Sequence, residues 1–306
     1  MVVTSKTTPK RSSKKNYLTT NVAIVAVVVA IIIAWLLLHF VYENPNTVFY
    51  SMLNNALSTS SFSKKVVSYR SNAVDYQSVT AQTGANNIVA SKEIQATIGN
   101  RASEVSIYSV GTPWADYSKY LSITTTQRDK NGTLLNYKPV INIWTKNTPG
   151  PKNSPQGKIF SDVLLGSVVP IGQISVEQRN SLMNYIKQNK VYNIVGKTTK
   201  RSVNGSTQYT YSVSIDLPSF VVMMGKFGDD LGLKVPPVKS SSYVGEIEAV
   251  KITVDALTRQ LVGINYVGSN NVESFSSFGA KYNISVPTKT ISLQDLGTKL
   301  STVSNN

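Results

Sequence analysis

The sequence predicts an α+β protein: an N-terminal transmembrane helix, then a strongly curved antiparallel β-sheet, a half-barrel of about nine to eleven strands with helices on its concave face. Three observations predict it. Val22–Leu38 is an uninterrupted apolar run without charge, Pro or Gly. From Val66 onward, runs rich in Val, Ile, Thr and Tyr recur with turn residues between them. Apolar residues at helical spacing interrupt those runs near the start, the middle and the end.

About 20 residues cross a hydrocarbon core of about 30 Å, so Leu18–Tyr42 is long enough to span, and in lipid the run must be helical. Lys6, Lys10, Arg11, Lys14 and Lys15 precede it with no acidic residue among them, while Trp35 and Tyr42 belong to the same topology signal. The basic flank places the N-terminus in the cytoplasm and the C-terminal part outside. The run is longer than the apolar region of a signal peptide, about 7–15 residues, and bulky residues from Leu38 to Glu43 follow it in place of a small-residue cleavage site. The expectation is a single-pass cell-membrane protein with an uncleaved signal anchor. Its parts are a disordered basic tail over 1–17, a transmembrane helix over 18–42 and an extracytoplasmic domain over 43–306.

Within that domain, Asn44-Pro45 reads as a helix start, with Val48, Phe49, Met52, Leu53, Ala56 and Leu57 forming one apolar face. Strands are expected at Val66–Tyr69, Val74–Val79, Asn87–Ile98, Glu104–Val110, Tyr117–Arg128 and Leu134–Trp144, with an Asn131-Gly132 hairpin signal before the last. The Pro- and Gly-rich stretch Thr148–Gly157 is a loop. Phe160, Val163, Leu164 and Val168 space a short helix, and Ser175 with Gln178 forms a capping box opening a second one to about Lys190. Tyr192–Arg201 and Thr207–Ile215 flank an Asn204-Gly205 turn. Tyr209, Tyr211, Val213 and Ile215 alternate onto one face. Asp216-Leu217-Pro218 starts another helix, followed by strands at Glu246–Val254, Gln260–Val267 and Val272–Ile284. A helix over Ser292–Val303 closes the chain.

Composition excludes much chemistry. The chain has no Cys, so disulfides, thiolate metal sites and cysteine nucleophiles are absent. The single histidine, His39, lies at the edge of the apolar run, which leaves no Ser-His-Asp triad or zinc site for the domain. No catalytic residue, metal or cofactor is therefore expected. Glu246 and Glu248 would share a strand face, the residue type a glycosidase-like enzyme uses, yet a solvated face explains them better. The net charge is +15. Lys64, Lys65, Arg70, Lys197, Lys200 and Arg201 read as solvated strand faces able to attract anionic surfaces. Without a helix-turn-helix or stacking motif, no nucleic-acid partner is expected.

The late part of the chain carries Val254-Asp255-Ala256-Leu257-Thr258-Arg259-Gln260-Leu261-Val262-Gly263-Ile264, then Phe275-Ser276-Ser277-Phe278-Gly279, then Ile284-Ser285-Val286-Pro287 before a closing helix. With the order of elements over most of 45–303, this resembles the LolA/LppX-like (LppX/LprG-type) superfamily of bacterial lipid- and lipoprotein-binding envelope proteins. The resemblance implies a half-open barrel whose apolar cavity, lidded by helices, takes acyl chains. The apolar residues offered to such a cavity are Phe160, Leu164, Leu165, Phe220, Val221, Met223, Met224 and Phe227. The expected function is thus membrane-tethered, non-catalytic binding of lipid or acyl chains, with the bilayer and an envelope protein as partners. The alternative is a structural or protein-interaction module of the cell surface with a filled core.

Overall fold

The computed structural model describes residues 26–33, 44–70, 73–83, 89–98, 103–112, 114–148, 158–233 and 238–305. The chain divides into two compact units, Met1–Val48 and Phe49–Asn306. In the first, residues 26–33 are helical (α1). Among the described residues no helix is long and apolar enough to cross a membrane. This overturns the expected single-pass span over 18–42, and with it the signal-anchor and cell-membrane reading. Lys6, Lys10, Arg11, Lys14, Lys15, Trp35 and Tyr42 lie outside the described residues.

Helix α2 (Pro45–Ala56) starts as its sequence dictates. The Asn44 Oδ1 accepts from the backbone N–H of Asn46 at 3.0 Å and Thr47 at 3.3 Å, and Pro45 supplies the preset φ of a first helical residue. Its buried residues include Phe49, Met52 and Leu53, a spacing of three and four that makes one apolar stripe.

The second unit is built on β1 (Ser61–Arg70), β2 (Ala73–Gln82), β3 (Val89–Ile98), β4 (Ser103–Gly111), β5 (Asp116–Thr124), β6 (Thr145–Asn147), β7 (Tyr192–Ile194), β8 (Thr199–Val203), β9 (Ser206–Asp216), β10 (Ile247–Asp255), β11 (Leu261–Tyr266), β12 (Asn271–Ser276) and β13 (Ile291–Ser292). Helices α3 (Lys158–Leu165), α4 (Val176–Gln188), α5 (Leu217–Asp230) and α6 (Leu293–Asn305) complete it. The strands form one sheet in the order β13-β6-β5-β4-β3-β2-β1-β12-β11-β10-β9-β7, with β8 also paired to β9. Two antiparallel meanders, β1–β5 and β9–β12, are joined by the pairing of β1 with β12. That seam lies near the middle of the sheet.

The expected antiparallel sheet of nine to eleven strands is corrected to a mixed one, with thirteen strands among the described residues. Its parallel pair is β6 with β13, where Ile291 sits opposite Thr145. The expected strand Tyr192–Arg201 is broken at Gly196, whose φ of +72° turns the chain out of the extended region, and yields β7 and β8. Leu134–Trp144 does not form the expected strand. Pro139, which has no N–H to give a ladder, sits in a 3-10 turn at Lys138–Val140. The last expected strand ends at Ser276 because Ser277 takes a φ of +56°. Asn204-Gly205 does form the predicted two-residue turn, with φ of +50° and +79°, joining β8 to β9.

One sheet face is covered. Tyr209, Tyr211, Val213 and Ile215 of β9, Val250, Ile252 and Val254 of β10, and Phe62 and Phe275 of β1 and β12 are buried. Phe49 of α2 packs edge-on against Tyr211 and Tyr192, at centroid distances of 5.2 and 6.0 Å. Helix α3 lies over β2 to β5, and α5 lies against α4 and β9. Asp116 of β5 accepts the Ile159 N–H of the first α3 turn at 3.2 Å, tying that helix to the first meander. In α4, the capping box of Ser175 and Gln178 forms as its sequence predicts.

Candidate functional site

A charged pair lies on the covered face at the seam between the meanders. Along β1, Phe62, Lys64 and Val66 share one side by the two-residue strand period, and Phe62 and Lys64 are buried; Lys65 points the other way and is exposed. On β12 the same rule puts Glu273 beside Phe275. The register sets Lys64 opposite Phe275 and Val66 opposite Glu273, so Lys64 and Glu273 are diagonal neighbours on one face. Both are only 4% exposed, and the Lys64 Nζ stands 3.5 Å from the Glu273 Oε1.

Charges are tolerated in such a place only when paired and hydrogen-bonded. Glu273 meets that condition. Its Oε2 accepts the Ser167 hydroxyl at 2.8 Å, and its Oε1 accepts the Tyr266 hydroxyl at 3.3 Å. Tyr266 comes from β11, and Ser167 from the bend after α3. The Tyr192 hydroxyl donates to the Val168 carbonyl at 2.6 Å and lies 3.8 Å from the Met223 Sδ of α5. Three strands, β12, β11 and β7, thus hold the short stretch that follows α3. Burial, and then the Glu273 charge, pushes the Tyr266 hydroxyl well above the ordinary tyrosine range; hydrogen bonding from the Val168 backbone and Ser167 opposes this in part. Burial, reinforced by Tyr266, does the same to Tyr192. Both phenols are therefore neutral donors at ordinary pH.

The apolar residues proposed from sequence divide by depth. Met223 and Phe227 are fully buried, Leu164 and Met224 nearly so, and Leu165, Phe220 and Val221 are half-buried. The Phe160 side chain lies outside those described. The α3 and α5 residues sit over different parts of the sheet, α3 on the first meander and α5 beside β9. Met223 reaches the stretch after α3 through Tyr192. The ring of Phe227 rests against Gly172, where an added Cβ would come 3.1 Å from its Cζ.

Other expectations are corrected. Lys64 is no solvated strand residue, although Lys65, Lys197, Lys200 and Arg201 are exposed. The Arg70 side chain lies outside those described. Glu246 is exposed and precedes β10, so it shares no strand face with Glu248. Among the described residues no group of three or more His, Asp or Glu is placed to hold a metal ion.

Glu273, Ser167, Tyr192 and Tyr266 were not singled out from sequence, and Lys64 was read there only as part of a solvated strand face. A signal existed in Phe62-Ser63-Lys64-Lys65-Val66, where strict alternation puts Lys64 with the apolar residues. Its partner could not be found that way, because Glu273 is brought to it only by the pairing of distant strands. The turn Asp255–Gln260, part of the late-strand stretch Val254–Ile264, has a structural role. Asp255 accepts from Ser206 Oγ, Thr258 N, Thr258 Oγ1 and Leu257 N. Burial works against its charge, but these bonds outweigh it and hold the carboxyl below its ordinary value. No protein-family model matches this chain, and no curated protein matches it.

Proposed function

We propose that the sheet-and-helix unit binds an acyl-chain ligand between the covered sheet face and its helices, without chemistry. The observation that carries this is the polar cluster of Lys64, Glu273, Ser167 and Tyr266, set mid-sheet in an otherwise apolar bed. An apolar core gains nothing in stability from such a pair, since well-packed hydrophobic residues do as well or better there. A site for an amphipathic molecule does need a few placed polar groups among apolar walls. Buried Met223 and Met224 support the reading, because flexible thioethers adapt to chains of varied shape. The LolA/LppX-like order of late strands and closing helix supports it as well.

The experiment is solvent extraction of the purified full-length chain followed by mass spectrometry. A stoichiometric acylated molecule is the expected result. A ligand-free chain that also takes up no acyl probe would refute the proposal and favour the alternative, an interaction module with a filled core. Full burial of Phe49, Phe227 and Met223 is the observation that favours this rival.

A further inference from the structure

We infer that Lys64 is the polar anchor of the site and that it binds an uncharged acceptor oxygen of the ligand, an ester or amide carbonyl; this rests on the acyl-binding reading above. An ammonium group has three N–H donors. Among the described residues, Lys64 has one partner, the Glu273 Oε1 at 3.5 Å, near the outer limit of an ion pair. Glu273 is well supplied by contrast, with Ser167, Tyr266 and Lys64 around its two oxygens. The shortfall is therefore on the cation, and it calls for acceptors. Lys64 is 4% exposed, which leaves bulk water no ready access to the unused donors.

Charge balance decides what kind of acceptor. Lys64 and Glu273 already neutralise each other. A carboxylate or phosphate bound at Lys64 would leave one net negative charge in an apolar bed, facing Glu273. A carbonyl oxygen fills the free donors and leaves the cluster neutral. The neighbours on the same face, Phe62 and Phe275 with ring centroids 6.4 Å apart, are apolar and buried, so the surroundings suit the chain attached to that carbonyl.

The test is fluorescence titration of the full-length chain at pH 8 with cis-parinaric acid and with its methyl ester. The ester is expected to bind about tenfold more tightly than the acid, and Lys64→Met to weaken ester binding about tenfold. Lys65→Met, on the opposite face of the same strand, is expected to leave both affinities unchanged. Should Lys64→Met fold poorly, Lys64→Met/Glu273→Leu removes both charges and carries the same expectation. Tighter binding of the acid, or ester binding indifferent to Lys64, would overturn the anchor while leaving acyl binding intact. Failure of both probes to bind the unmutated chain would overturn acyl binding itself.

Discussion

Replacing Glu273 with leucine isolates the energetics of the seam. At 3.5 Å and an effective dielectric constant of about 20, the Lys64–Glu273 attraction is about 5 kcal/mol. Glu273→Leu strands the Lys64 ammonium at 4% exposure and leaves the Ser167 and Tyr266 hydroxyls without their acceptor. Removing one partner of a buried pair costs about 3–5 kcal/mol, a large share of the roughly 5–15 kcal/mol that holds a domain folded. In Lys64→Met/Glu273→Leu no charge is buried. The remaining penalty is that of two under-used hydroxyls, which Glu273→Leu carries as well. The double variant is thus expected to be more stable than Glu273→Leu alone, with a coupling of at least about 2 kcal/mol between the two sites. Urea unfolding of the four chains in the cycle, followed by tryptophan fluorescence, reads this from the midpoints. A Glu273→Leu cost below about 1 kcal/mol, or additivity within about 0.5 kcal/mol, would refute the buried pair.

Further outcomes follow from other elements. Ser175→Ala removes the oxygen that accepts the Gln178 N–H and should cost about 1 kcal/mol, seen as a lowered thermal midpoint. Phe227→Ala empties a fully buried site against Gly172 and should cost about 3–5 kcal/mol by urea unfolding. The Asp255 carboxyl is held below its ordinary value, so its stabilisation is complete above the unfolded value of about 3.9 and is lost as pH falls through the lower folded value. Asp255→Asn should flatten the fall in stability below about pH 4, measured by urea midpoints across the acid range. Tyr192, Tyr211 and Tyr266 are raised by burial, so their contribution is complete below the unfolded tyrosine value of about 10 and is lost as pH climbs beyond it. Spectrophotometric titration should show these phenols ionising only together with alkaline unfolding.

Local chemistry was legible in the sequence wherever neighbours in the chain decide the outcome. The Asn44 cap, the Ser175-Gln178 box, the Asn204-Gly205 turn and the alternation of β9 all follow from residues within a few positions of one another. The α+β class followed from the same short-range patterns. Pairing was not legible. The split at Gly196, the parallel pair of β6 with β13 and the end of β12 at Ser277 depend on backbone torsions and on partners far along the chain. Apolar length suggested a membrane span, which no helix among the described residues provides.

The candidate site shows the same division. Alternation alone determined that Lys64 shares a face with Phe62 and Val66, yet alternation cannot say which face of a strand is covered. Only the tertiary structure decided that this face is covered, by pairing β1 with β12 and folding the segment after α3 over the seam. The physical reason is that a lysine's role depends on solvent access and on partners within a few ångströms. For Lys64 the partner is Glu273, itself held by Ser167 and Tyr266, and these residues share no local pattern with it.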